Sequence, residues 1–117
     1  MDPSFIRLFV QEILTEAGLD DLPQEFKSDY VHKLSYELRR RIGIHAVNAL
    51  DQKSFDEFQN LIKDNPTQDL FNVIDFFKEK LVNFNDLVAH TLYEFRLEIL
   101  SHANELKASF YASKDRA

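Results

Sequence analysis

The stretch at residues 22–44, LPQEFKSDYVHKLSYELRRRIGI, constrains the fold most, because apolar side chains recur along it at every fourth position. This spacing places them on one stripe that winds slowly around an α-helix. The stripe consists of Phe26, Tyr30, Leu34, Leu38 and Ile42. Proline is favoured where a helix begins and glycine where it ends, so the stretch predicts a helix from Pro23 to Gly43.

The rest of the chain shows the same helical spacing, interrupted at residues that typically end or cap helices. Gly18 and the leucine after it are typical of a Schellman ending, in which the leucine folds back on the last helical turn. Ser54 and Glu57 form a capping-box pattern for a third helix, and Asp51 would cap a slightly earlier start. A short apolar connector with a turn or two of helix is expected over residues 44–50. The expected helices cover approximately residues 3–17, 23–43, 54–64, 67–81 and 83–112.

No strand is expected, because runs of strand-forming residues bounded by Asn-Gly or Asp-Gly turns do not occur. Short connections between the expected helices favour antiparallel neighbours. The sequence therefore predicts an all-α fold, a compact up-and-down bundle of about five helices with a long C-terminal helix. Residues 1–112 are expected to form this single domain, and residues 113–117 a frayed polar tail.

Charge and cysteine content exclude several classes of function. The formal net charge of −6 argues against generic phosphate binding. The absence of cysteine excludes disulfides, thiolate chemistry and cysteine-ligated metals, and it fits a reducing compartment. No apolar run approaches the length of a membrane span, and the acidic N-terminus is a poor signal peptide. We therefore expect a cytoplasmic location.

The expected C-terminal helix carries the one pattern that resembles a metal site, an i+4 ladder of His90, Glu94, Glu98 and His102. Side chains one helical turn apart can share a metal ion. The ladder also lies on a continuous polar face that includes Thr91, so a solvated face with His–Glu pairs explains the same residues. Because no glycine-rich phosphate loop or nucleophile motif accompanies it, the sequence predicts no enzyme, no catalytic residue, and no metal or other cofactor.

Arg39, Arg40 and Arg41 form the sharpest binding candidate, although successive helical residues point about 100° apart and cannot form one flat patch. Arg41 is expected to pair with Glu37 one turn earlier, and Arg40 to lie over Tyr36. In the last helical turn all three would also offset the negative end of the helix dipole. Two interpretations stay open, namely pairing within the helix, or contact with an anion, RNA or an acidic partner. The candidate residues on the outward side are His32, Lys33, Tyr36, Arg39 and Arg40.

The eleven phenylalanines suggest more aromatic surface than a small core requires. Most are expected in the core, and Phe5, Phe9 and Tyr36 are the aromatics expected at the surface. The first and fourth helices are apolar on nearly all sides, which is more than a five-helix monomer easily buries. This surplus indicates contact with a protein partner or with a second copy.

The chain resembles an uncharacterised family of small helical bacterial proteins, a domain of unknown function. The motifs that carry the resemblance are FVQEILTEAGLDDLPQEFKSDYV, ELRRRIGI, LDQKSFDEF and FNDLVAHTLYEFRLEIL. The resemblance implies a helical fold and a bacterial, cytosolic origin. It implies no activity and no catalytic residues.

Two functional hypotheses follow from these observations. The preferred one is a non-enzymatic helical interaction module that binds a protein partner or itself through apolar surface on the first or the last helix. The alternative is an accessory factor that touches RNA or a ribonucleoprotein through Arg39 and Arg40. No small-molecule substrate is evident from the sequence.

Overall fold

A computed structural model describes residues 3–65 and 70–116 of the chain. Within these ranges the chain forms α-helices and no β-strand, which confirms the predicted all-α class. The helices are α1 (Pro3–Glu16), α2 (Gln24–Ala49), α3 (Gln52–Ile62), α4 (Leu70–Lys80), α5 (Phe84–Ser101) and α6 (Ala103–Arg116). The predicted first turn of the fourth helix, at residues 67–69, lies outside the described ranges.

The first helix ends in the Schellman turn that the sequence predicts. Gly18 adopts a left-handed backbone with φ of +75°, and its N–H donates to the Thr15 carbonyl at 3.0 Å. The Leu19 N–H donates to the Leu14 carbonyl at 2.8 Å, and both leucine side chains are buried. The turn therefore anchors the start of the α1–α2 connection in the core.

The prediction that the second helix stops at Gly43 is wrong, because α2 continues to Ala49. Gly43 has no positive φ, and the buried side chains of Leu38, Ile42 and Ala46 continue the apolar stripe past the glycine. The predicted connector at residues 44–50 is therefore mostly the last part of α2. The three arginines lie within a 26-residue helix rather than in its last turn, so the predicted offset of the helix dipole does not apply to them.

Helix α2 is the central element, with α1, α4 and α5 packed around it. It runs antiparallel to α5, since Arg41 contacts Glu98 while His45, one turn further along α2, contacts Thr91. The largest of the fully buried side chains are Ile6, Val10, Ile13, Leu19, Leu38, Ile42, Phe77, Thr91 and Phe95.

The molecule is elongated, which corrects the predicted compact shape. Its radius of gyration is 16.8 Å and its extents are 53 × 28 × 21 Å, whereas a compact domain of this length has a radius of gyration of about 13 Å. The 26 residues of α2 alone span about 39 Å at 1.5 Å per residue. The central helix alone is therefore longer than either of the two shorter extents.

The alternative start of the third helix is confirmed, because Asp51 caps α3. Its carboxylate accepts the Ser54 N–H at 2.7 Å. The Phe58 ring of α3 lies 5.5 Å from the Phe77 ring of α4, measured between ring centroids. No residue of α3 is fully buried, so this helix forms an outer layer against α4.

The predicted long C-terminal helix is divided at His102 into α5 and α6, which raises the number of described helices from the predicted five to six. The Glu98 carbonyl accepts the Ser101 hydroxyl at 2.9 Å and lies 2.7 Å from His102 Nδ1. Side chains that bond a carbonyl one turn earlier compete with the backbone ladder and bend a helix. The backbone of α6 continues to Arg116 and includes most of the segment predicted as a polar tail.

The two glycines are expected to respond in opposite directions to alanine. Gly18→Ala places a Cβ at a positive φ and is expected to lower the free energy of unfolding by about 1 kcal/mol. A Cβ on Gly43 would meet no atom within 4 Å in the described part of the chain. Gly43→Ala is therefore expected to raise the free energy of unfolding by about 0.5–1 kcal/mol. Urea denaturation of the two variants measures both changes. A loss of stability in Gly43→Ala would contradict the conclusion that Gly43 has a helical backbone with open space above it.

Candidate functional site

The outward side of α2 borders two cavities that share Arg39 as a wall. We call the first the polar cleft; it has a volume of about 500 Å³ and lies between α1 and the first half of α2. We call the second the apolar groove; it has a volume of about 400 Å³ and lies between the second half of α2 and the helices α3 and α4. Most of the binding residues predicted on α2 line one or both of these cavities.

Two facing helix surfaces build the polar cleft, each with side chains at helical spacing. Helix α1 contributes Arg7, Gln11 and Thr15. Helix α2 contributes Ser28, His32, Ser35 and Arg39. The grouping of Ser28, His32 and Arg39 on one face of the helix follows from their sequence spacing, and the structure shows that this face is opposed by α1.

Cations outnumber acids in the polar cleft. Arg7, Lys27 and Arg39 line it together with one carboxylate, Asp20. The Lys27 ammonium donates to the backbone carbonyl of Asp20 at 2.8 Å, which fixes its position at this end of the cleft. This preponderance of cations is local to the lining of the cleft, since the chain as a whole carries a net charge of −6.

Ser35 lies in the wall of the polar cleft and is buried, with 8% of its surface exposed. Its hydroxyl has no hydrogen-bond partner among the described residues. A buried polar group without a partner costs about 1–3 kcal/mol. The Ser35 hydroxyl is thus a donor that the surrounding protein leaves unused.

Apolar side chains from three helices form the apolar groove. Its lining includes Ile44 and Val47 of α2, Phe58 of α3, and Val73 and Phe77 of α4. The space above the Cα of Gly43 is open and belongs to this groove. Tyr36 and Ile44, with 59% and 43% of their surfaces exposed, lie at the rim.

Arg41 is a structural residue that joins α2 to α5. Its guanidinium donates to Glu37 at 3.1 Å, which confirms the predicted pair, and to both carboxylate oxygens of Glu98 at 2.5 and 3.0 Å. It also lies 5.1 Å from the centroid of the Phe95 ring. The hydrogen bonds from Arg41 hold the pKa of Glu98 below its ordinary value. Those from Arg40, and to a lesser extent from Arg41, lower the pKa of Glu37.

Arg40 and Arg39 have different surroundings from those predicted. Arg40 donates to both oxygens of Glu37 at 3.1 and 2.9 Å, so its strongest contact is this carboxylate rather than the predicted stack on Tyr36. Arg39 is half-buried, and its guanidinium carbon lies 5.7 Å from the centroid of the Phe71 ring of α4. Arg39 is therefore an inter-helix residue as well as a cavity wall.

The remaining predicted binding residues lie apart from the groove. His32 is exposed at the polar cleft, and Lys33 pairs with Asp29 one turn earlier at 3.2 Å. Phe5 and Phe9 stack on each other along α1 with their centroids 6.5 Å apart. Phe5 is exposed as predicted, whereas Phe9 is half-buried against the core. The predicted set thus divides among the polar cleft, the apolar groove and the outer face of α1.

The predicted polar ladder on the C-terminal helix forms pairs. His90 Nε2 lies 2.9 Å from Glu94 Oε1, Glu98 binds Arg41, and His102 contacts the backbone at the α5–α6 break. In the described part of the chain no three histidine or acidic side chains are grouped closely enough to hold a metal ion.

Thr91 is buried rather than part of the solvated face on which the sequence placed it. Its hydroxyl donates to the Leu87 carbonyl at 2.9 Å, and its oxygen lies 2.8 Å from His45 Nδ1. Because the hydroxyl proton is already donated, His45 must donate its own N–H to Thr91. The pair therefore links α2 to α5.

Sequence reasoning missed Arg7, Lys27 and Ser35 as cavity residues. The i, i+4 spacing of Arg7 to Gln11 and of Ser35 to Arg39 was a usable signal, whereas Lys27 has no such spacing to either residue. Only the pairing of α1 with α2 makes the three residues neighbours. It also missed Gly43 as part of a surface, because the glycine was interpreted as the end of a helix.

Comparison with known proteins adds a family but no activity. None of the helices in the described ranges combines the length and the apolar character needed to cross a bilayer. No curated protein and no solved structure gives a significant match to the chain. Residues 13–99 match the family described as "Protein of unknown function (DUF5663)". This match covers well over half of the sequence and confirms the predicted resemblance to an uncharacterised family. The chain therefore belongs to the DUF5663 family of proteins of unknown function.

Proposed function

We propose that this protein is a non-enzymatic interaction module whose apolar groove binds an amphipathic, acidic helix of a protein partner. The observation that supports this most is the concave apolar surface between α2, α3 and α4, with the exposed side chains of Tyr36 and Ile44 at its rim. As the sequence resemblance implies, we extend the proposal to a bacterial, cytoplasmic setting.

The size of the groove fits the anchoring side chains of a helix. A volume of about 400 Å³ lies in the range of ligand-binding cavities in proteins. Helices that dock into such grooves insert apolar residues at i, i+3 or i+4, and i+7. Glycine in the middle of a helix costs about 1 kcal/mol relative to alanine. The open space above Gly43 is therefore best explained by the close approach of a partner at this point.

The charge at the edge of the groove favours an acidic partner. Arg39 and Arg40 border it, and Arg40 uses only its Nε and Nη2 groups in binding Glu37. A guanidinium has five N–H donors, so Arg40 retains donors for a second carboxylate. Complementary charge at a rim contributes mainly to specificity and to the rate of association.

The RNA-associated alternative has weaker support. Glu37 and Glu98 form ion pairs with Arg40 and Arg41 and neutralise their charges. Less positive charge is therefore available for RNA phosphates than the run of three arginines suggests. The outer faces of α1 and α5 also expose apolar side chains, including Leu8 and Tyr93. We favour the groove over these faces because it is concave and has charged residues along one edge.

A titration with synthetic helices tests the proposal. Three peptides share leucines at i, i+3, i+4 and i+7 and carry Glu, Gln or Lys at the flanking positions. We expect the Glu peptide to bind most tightly and to shift the NMR signals of Gly43 and Ile44. Ile44→Asp is expected to weaken its binding about tenfold or more, because the substitution places a charge in an apolar contact. Leu97→Asp on α5 is the matched control, since Leu97 and Ile44 are equally exposed.

Several outcomes would overturn the proposal. Absence of binding by all three peptides, a preference for the Lys peptide, or equal losses in Ile44→Asp and Leu97→Asp would each do so. Binding of single-stranded RNA at low salt that is lost in Arg39→Ala/Arg40→Ala would instead support the RNA-associated function. A concentration-dependent dimer in sedimentation that Ile44→Asp disrupts would identify a second copy as the occupant.

A further inference from the structure

We propose that the polar cleft is a binding site for a small molecule that carries a dianionic group, such as a phosphate monoester. The site is distinct from the apolar groove and does not depend on the function proposed for it. Three cations, Arg7, Lys27 and Arg39, line the cleft with one carboxylate. A dianion would complement these positively charged side chains.

The Ser35 hydroxyl is the second, independent indication of a ligand. A serine within a helix usually donates to the carbonyl one turn earlier or is hydrated at the surface. Ser35 is buried in the cleft wall, and among the described residues its hydroxyl has no partner. An anion oxygen in the cleft would accept this hydroxyl and satisfy a group that is otherwise costly to bury.

The donors approach the cleft from both of its walls. Arg7 lies on α1, whereas Ser35 and Arg39 lie on α2. Lys27 uses one N–H to bind the Asp20 carbonyl and keeps two others. A ligand between the helices would therefore receive hydrogen bonds from opposite sides, the geometry that holds a tetrahedral oxyanion better than a single surface does.

A small ligand fits this cleft better than a nucleic acid. The volume of about 500 Å³ is in the range of small-molecule sites. A nucleic acid would extend past the cleft and meet a chain with a net charge of −6, which repels a polyanion. The positive potential of the cleft is local, and only a ligand confined to it benefits from that potential.

Titrations with inorganic phosphate and with glycerol 3-phosphate, at constant ionic strength, test the site. We expect saturable binding that shifts the amide signals of Ser35 and its neighbours on α2. Arg7→Gln and Ser35→Ala are each expected to weaken binding about tenfold, because each removes a hydrogen bond to a charged group. Lys33→Gln is the control, since it removes one positive charge from the same helix outside the cleft.

Stability measurements separate loss of the site from loss of the fold. Without anion, Ser35→Ala is expected to be at least as stable as the wild type, because it removes an unpartnered buried hydroxyl. Phosphate should raise the melting temperature of the wild type but have little effect on that of Ser35→Ala. Unsaturable binding, or an equal loss in Lys33→Gln, would show only nonspecific attraction and overturn the proposal. Normal phosphate binding by Ile44→Asp would show that the anion site does not require an intact groove, whichever way the peptide titration turns out.

Discussion

Phe77→Ala is expected to lower the free energy of unfolding by about 3–5 kcal/mol, the range typical of truncating a buried aromatic side chain to alanine. Only 1% of the surface of Phe77 is exposed. Its ring centroid lies 5.5 Å from that of Phe58 on α3 and 6.2 Å from that of Phe84 on α5. The ring therefore joins three helices, and a loss of this size is comparable to the whole stability of many domains.

Chemical denaturation followed by circular dichroism measures this loss, with Phe5→Ala as the matched control. Phe5 is the same residue type but is 45% exposed, and its substitution is expected to cost less than about 1 kcal/mol. Losses of similar size in the two variants would contradict the assignment of Phe77 as the aromatic centre of the α3–α4–α5 contact.

Arg41→Met is expected to have the second largest effect, a loss of about 1–2 kcal/mol at pH 7. The substitution removes the hydrogen bonds to Glu37 and Glu98, and bonds to charged groups are worth about 1.5–3 kcal/mol before solvent screening. We reduce this figure because the carboxylates are partly exposed. Arg40→Met, which removes only an exposed pair within α2, is expected to have a much smaller effect.

The effect of Arg41→Met depends on pH in a defined direction. The pKa values of Glu37 and Glu98 are lowered in the folded protein. Lowered carboxyl pKa values contribute stability that is fully present above the ordinary glutamate pKa of about 4.3 and is lost as the pH falls through the folded value. The difference between wild type and Arg41→Met should therefore be constant from pH 7 to about 5 and shrink in more acidic solution. A difference that grows on acidification would contradict the ion-pair explanation.

The features that the sequence predicted correctly depend on residues within about one helical turn of each other. The Schellman turn at Gly18, the Asp51 cap and the Glu37–Arg41 pair all have this local character. The prediction at Gly43 was wrong because a local signal competed with burial. Ala46 continues the buried stripe, and the packing it gains outweighs the modest helix penalty of one glycine.

The parts of the candidate site that could not be predicted arise where two helices meet. His32 and Arg39 were found because both lie on the outward side of one helix. Arg7 became part of the same site only through the packing of α1 on α2, which no spacing within a single helix reveals. Thr91 could not be predicted as buried for the same reason. Its position on α5 lies on the polar face, but α2 packs against it and His45 contacts its hydroxyl.

Because Arg39 is a wall of both cavities, ligands bound in the two cavities at the same time would meet at one side chain. Its guanidinium is held against Phe71, and an occupant of either cavity that turns it changes the shape and charge of the other. Linkage requires this influence to be reciprocal, with each ligand changing the affinity of the other by the same factor. An anion in the polar cleft would then act as an effector of helix binding in the apolar groove, over the width of a single α-helix.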